Sequence, residues 1–130
     1  ILLAEDGVIA VEAPYVVDLI KELQYDTIYH QHVGYLSVKP MALYFPRFGL
    51  ELFALKKNNY FGGSMRYYIG HKGKHPVSDD IARHIKEEES YGLYSFQKLE
   101  EFALRVSQQK MDLLELLVGL KRQGKRIAAI

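Results

Sequence analysis

The sequence predicts an α/β domain whose last strand is antiparallel, followed by helices that include one long C-terminal helix. Three observations predict it. The stretch "GVIAVEAP", Gly7 to Pro14, holds four consecutive apolar residues between Gly and Pro, the pattern of a strand buried on both faces as in a parallel sheet. After the turn-rich "NNYFGG", the residues Met65, Tyr67 and Ile69 alternate with Arg66 and Tyr68, the period of a strand that pairs back on a neighbour. From Phe96 onward, Leu99, Phe102, Val106, Leu113, Leu117 and Leu120 recur at helical spacing.

Taken in order, the first strand runs from Gly7 to Glu12 and leaves Glu12 at its carboxyl end, the side of an open α/β sheet where ligands bind. "YVVDLIKELQ" places Val16, Val17, Ile20 and Leu23 at helical spacing, which predicts a short helix. Ser37 is placed to cap the next helix, with Pro40 tolerable in its first turn and Gly49 suited to its C-terminal cap. Pro46 conflicts with that helix, because it removes a hydrogen bond, and should kink it or end it early. Strands are expected at Leu50 to Lys56 and Ser64 to Gly70. Ser78 and the acids Asp79 and Asp80 then signal a helix to Glu89. The last helix, capped by Ser95, should end near Gly124. At about 1.5 Å per residue it runs roughly 40 Å, more than a three-stranded sheet can cover.

Domain organisation follows: an α/β part over residues 1–75, and a helical part over 76–130 leading into a further domain. The start at Ile1 without methionine, and the closing "GKRIAAI", in which a new apolar run opens after Gly and two basic residues, are the marks of a segment of a longer polypeptide.

Composition excludes several functions. With 17 Lys and Arg against 16 Asp and Glu, and a formal charge of +1, the chain of 130 residues has no basic stripe for a nucleic acid backbone. It has no cysteine, hence no disulfide framework, thiolate metal site or thiol nucleophile. No apolar run reaches the ~18–20 residues of a membrane span. The expectation is a cytoplasmic protein that binds neither nucleic acid nor membrane.

The segment "YDTIYHQHVGY", Tyr25 to Tyr35, fits neither a core strand nor a solvated loop. Its residue types are those of a lining. His30 and His32 would share a face if the segment were extended, but no carboxylate follows at the spacing of a metal site, so no metal is assigned. A histidine flanked by tyrosine hydroxyls suits removal of a proton next to a ketone. The competing interpretation is a cluster of packed aromatics with satisfied polar tips. "GGS" at Gly62 to Ser64 lacks the context of a nucleophile elbow or a phosphate loop and reads as a tight turn.

The combination of "YDTIYHQHVGYLS", a helix, "RFGLELF" and "GGSMRYYIG" resembles the later half of the S-adenosylmethionine-dependent sugar C-methyltransferases, enzymes of deoxysugar biosynthesis that methylate nucleotide-linked keto-sugars. The resemblance implies the last three strands of a class I methyltransferase sheet, the final one antiparallel, then helices that lead into a C-terminal Rossmann-like domain. It also implies that the S-adenosylmethionine site lies mostly in earlier strands, and a zinc module before those, outside this sequence. His32 matches the base, Tyr29 the tyrosine beside it, and Gln31 the position where the family usually carries glutamate. Tyr35, Glu12, Ser64 and Arg66 fall where they would contact substrate. An amide at Gln31 is neutral and can donate, which bears on the base strength of His32 and on substrate preference. Phe61 likewise stands where a polar residue often precedes GGS. Two other functions fit the same residues: an assembly module that self-associates through the long helix or an exposed sheet edge, and a related methyltransferase with a non-sugar substrate.

Overall fold

The structure is a computed structural model and describes residues 3–129. Three strands, β1 (Ile9–Pro14), β2 (Leu50–Asn58) and β3 (Ser64–His71), form one sheet in the order β1-β3-β2. The last strand in the chain lies in the middle and runs antiparallel to both neighbours. The two outer strands are therefore parallel to each other, and the antiparallel final strand is the one expected from "GGSMRYYIG".

The alternation in β3 explains why it is central. Met65, Tyr67 and Ile69 are fully buried and share one face. Met65 and Ile69 each contribute on the order of 1.5–3 kcal/mol by leaving water, while the buried Tyr67 hydroxyl, without a hydrogen-bond partner among the described residues, offsets part of what its ring gains. With Leu50 and Leu52 of β2 they form a core that Val17, Leu19, Ile20, Val38, Ile81 and Leu93 complete. These come from α1 (Val16–Lys21), α2 (Val38–Tyr44), α3 (Asp79–Ser90) and the turn after α3. Helix α2 packs on α3, and both touch β2.

The first strand departs from its expected environment. Ile9, Val11 and Ala13 are only half-buried, and Ala10 and Glu12 are exposed, so β1 is not covered on both faces. It stands at the edge of the sheet, and no layer among the described residues lies over its outer face. Its apolar run carries the composition of a central strand while its place is peripheral.

Proline and glycine act where expected. Helix α2 stops at Tyr44, and a 3₁₀ turn over Phe45–Phe48 takes in Pro46 before Gly49 ends it in the left-handed region at φ 71°. Ser37 occupies the N-cap position of α2 in extended conformation, yet its side chain makes no capping bond. The Glu88 carboxylate of α3 caps instead, accepting from the backbone N–H groups of Val38 at 2.6 Å and Lys39 at 3.0 Å. A full negative charge at a helix N-terminus is a stronger acceptor than a hydroxyl. Ser78, by contrast, caps α3 through a bond from the Asp80 N–H.

The chain forms two compact units, one through Ser95 and one from Phe96 onward, so α3 belongs to the unit that contains the sheet. The second unit is α4 (Phe96–Arg122), 27 residues long. None of its residues is buried, and Phe96, Leu104, Met111 and Leu116 are among its exposed apolar side chains. Residues 125–129 adopt no regular structure, so the strand that "RIAAI" suggests is not formed there. Ile130, like Ile1 and Leu2, lies outside the described residues.

Candidate active site

Register builds the first half of the site. Glu12 faces Arg66 across the β1–β3 ladder, and Ser64 lies two residues from Arg66, on the same face. Asn58 of β2 is in turn the partner of Ser64. The other three side chains converge on the Glu12 carboxylate. Glu12 Oε1 accepts from Ser64 Oγ at 2.6 Å and Asn58 Nδ2 at 3.1 Å. Its Oε2 accepts from Arg66 Nε at 2.8 Å and Nη2 at 2.6 Å. A carboxylate has about four acceptor positions, and here all four are used. The Ser64 hydroxyl first and the Arg66 guanidinium next hold the Glu12 carboxyl below its usual range. Interactions with Tyr68 and Glu12 likewise strengthen the hold of Arg66 on its proton.

The turn into β3 makes this approach close. Gly62 and Gly63 have φ 81° and 124°, a region that favours glycine. A Cβ on Gly63 would stand 2.3 Å from Asp18 Oδ2, and one on Gly62 2.5 Å from Gln24 Nε2. The Gly63 carbonyl accepts from the Tyr15 N–H at 3.2 Å, which joins the turn to the end of β1.

The Tyr/His segment supplies the second half. It is not extended. A 3₁₀ turn at Tyr25–Thr27 is followed by tight turns, with Tyr29 N–H donating to Thr27 O and His32 N–H to Tyr29 O. His32 folds back so that its Nδ1 lies 2.8 Å from the Thr27 carbonyl. A carbonyl oxygen only accepts, so Nδ1 carries the hydrogen, and in the neutral ring the lone pair is on Nε2. The Tyr29 hydroxyl is 3.1 Å from Nε2, and the two rings pack with centroids 4.2 Å apart. The Tyr35 hydroxyl donates to the same Thr27 carbonyl at 2.8 Å, and its ring meets His32 edge-on.

These halves meet at a cavity of about 150 Å³ lined by Glu12, Ala13, Pro14, His32 and Ser64. Three of the residues singled out in the sequence thus share one hollow. Arg66, Tyr29 and Tyr35 stand behind lining residues: Arg66 through Glu12, the tyrosines through His32 and Thr27. Gln31 is exposed and outside the lining. His30 is exposed as well, because the turns separate it from His32. Among the described residues, no three His, Asp or Glu side chains gather as a metal site would require, and no helix is long and apolar enough to cross a membrane.

Two participants escaped the sequence. The Thr27 carbonyl orients both His32 and Tyr35, and a backbone acceptor has no residue signature. Glu88 is 1% exposed and accepts from Val38, Lys39, Tyr15 and Tyr94. Burial raises the pKa of the Tyr15 and Tyr94 hydroxyls, and the adjacent Glu88 raises it further, so both remain donors. Glu88 lies in the charged run "KEEES", but Ile81, Ile85 and Glu88 are spaced i, i+4, i+7. That spacing puts an acid on the apolar stripe of α3.

A sheet with its final strand antiparallel, and a histidine beside a strand-end carboxylate, define an α/β domain with a polar pocket at one end of the sheet. Residues 59–130 match the family described as C-methyltransferase C-terminal domain, and this chain belongs to that family. Over 128 residues, 98% of the chain, it is 34% identical to the C-methyltransferase NovU of Streptomyces niveus, and it spans 30% of that protein's length.

Proposed function

We propose that this chain is the substrate-side part of a C-methyltransferase that acts on a nucleotide-linked keto-sugar, with His32 removing the proton from the carbon next to the ketone. The observation that carries the proposal is the shared cavity, where His32 meets Glu12 and Ser64. The family match and the likeness to NovU support the reaction class. S-adenosylmethionine is the methyl donor in this reading. The described elements do not fit its nucleoside, which needs a strand, a glycine-rich loop and a helix in succession. Here β1 leads through Pro14 and Tyr15 straight into α1, and the Gly62–Gly63 pair leads into a strand. The steps below are therefore those of this chain's own side chains.

His32 Nε2 accepts the proton. The Thr27 carbonyl, already bonded to Nδ1–H, holds the ring in the tautomer that leaves Nε2 basic and then steadies the imidazolium. At rest the Tyr29 hydroxyl occupies Nε2. Substrate entering the cavity displaces it, freeing its O–H to donate to the ketone oxygen as negative charge develops there. Glu12 has no spare acceptor position and contacts a sugar hydroxyl only by exchange for Asn58 or Ser64. It holds Ser64 and Arg66 in place at the strand ends.

The test is deuterium incorporation at the carbon beside the ketone, measured in the full-length protein without methyl donor. Replacing His32→Asn keeps size and polarity but removes the base, and incorporation should stop. Undiminished exchange would remove His32 from the role.

A further inference from the structure

The Tyr/His segment has little structure of its own. Between residues 25 and 36 it contains one 3₁₀ turn and local turn bonds, so its position depends on its two ends. At the first end, Gln24 Nε2 donates to the Gly62 carbonyl at 2.7 Å. At the second, the Leu36 carbonyl accepts from Val16 N–H at 3.2 Å, and immediately beyond it Val38 and Lys39 donate to Glu88.

Glu88 also reaches the other side of the cavity. Its Oε1 accepts from the Tyr15 hydroxyl at 2.9 Å as well as from Val38 N–H at 2.6 Å. Tyr15 directly follows Pro14, which lines the cavity with Ala13 and Glu12. Oε2 takes Lys39 N–H and the Tyr94 hydroxyl. One buried carboxylate on α3 thus fastens the end of β1 to the end of the segment that carries His32. Tyr15 adjoins the lining residue Pro14, Val38 and Lys39 follow the segment that carries His32, and none of the three lines the cavity.

We propose that Glu88 is a positioning residue for this site, a clamp that fixes the distance between the β1 wall and His32. Its effect on turnover rests on the catalytic reading of His32, whereas its effect on the segment does not. Glutamine cannot replace it. Each Glu88 oxygen holds one backbone N–H, so whichever way the amide turns, its NH₂ faces a donor and leaves a buried N–H unpaired.

Backbone hydrogen exchange and steady-state kinetics on the full-length protein test the clamp, comparing wild type with Glu88→Gln and the milder Tyr15→Phe. In Glu88→Gln, exchange across residues 25–36 should accelerate roughly tenfold to a hundredfold while β3 stays protected. Tyr15→Phe should show a smaller rise in the same place. For the keto-sugar, kcat should fall roughly tenfold or more while KM for the methyl donor holds. Wild-type exchange over 25–36 in both variants would make Glu88 an ordinary buried acid and overturn the proposal, even if activity or melting temperature dropped. Should Glu88→Gln unfold, Tyr15→Phe decides: a rise confined to 25–36 upholds the clamp and its absence overturns it. A loosened segment in a protein whose wild type shows no activity on the keto-sugar would uphold the clamp and sink the catalytic reading.

Discussion

Glu12 shows how much one side chain reveals and conceals. Its place at a strand end is legible from "GVIAVEAP", and that end borders the cavity. Its saturation by Ser64, Asn58 and Arg66 is not legible there, because strand order and register decide which residues face it. That saturation has a measurable sign. Held below its ordinary value of 4.5 in the folded state, Glu12 adds stability at pH above the unfolded value. The contribution is lost as pH falls through the folded one. Wild type should therefore lose more stability than Glu12→Gln between pH 5 and the acid limb of the curve, measured by urea midpoints. Parallel losses would mean that the Arg66 and Ser64 bonds are no better than water. His32 is equally conspicuous in the sequence. Its tautomer is not, since Thr27 supplies only a carbonyl.

At the scale of elements, local chemistry fixed the boundaries where a residue has one strong preference. Helix α2 stops before Pro46, Gly49 ends the 3₁₀ turn that follows, and the Met65, Tyr67, Ile69 alternation makes β3 the buried strand. The environment of β1 departs from the expectation because an apolar run reports composition, and among the described residues no layer covers its outer face. Ser37 has the type and position of a cap without making the capping bond. A buried carboxylate from 50 residues away provides the bonds instead, and such a long-range substitution leaves no local trace. The Gly62–Gly63 turn yields a prediction at this scale. Gly63→Ala demands φ 124° of an alanine and drives its Cβ to 2.3 Å from Asp18 Oδ2. Strain of this kind costs about 1–3 kcal/mol, and Asp18 must give way, weakening its 2.8 Å pairing with Lys57. Denaturant unfolding should show a loss in that range. A variant as stable as wild type would mean that the turn can relax without cost.

The whole molecule joins a sheet unit that ends at Ser95 to a long helix. All the chemistry described lies in the first unit, at the end of the sheet where β1 finishes and β3 begins. That end holds the His32 imidazole, an anchored carboxylate and hydroxyl donors, the groups on which the proposed sugar ketone chemistry relies. Among the described residues, neither β1 nor the Gly62–Gly63 turn leads through a glycine-rich loop into a helix. The relative NovU is more than three times as long as the stretch matched, and in the function proposed above the methyl donor binds mostly outside that stretch. The 130-residue polypeptide, tested alone, should accordingly show no heat of binding with S-adenosylmethionine at micromolar to high-micromolar concentrations. Calorimetry must be paired with a check that the protein is folded, for which the unfolding transition of the buried β3 core serves. A folded sample that binds at micromolar affinity would mean that one of its own turns cradles the nucleoside. The cavity beside His32 would then have to be reassigned from sugar to cofactor.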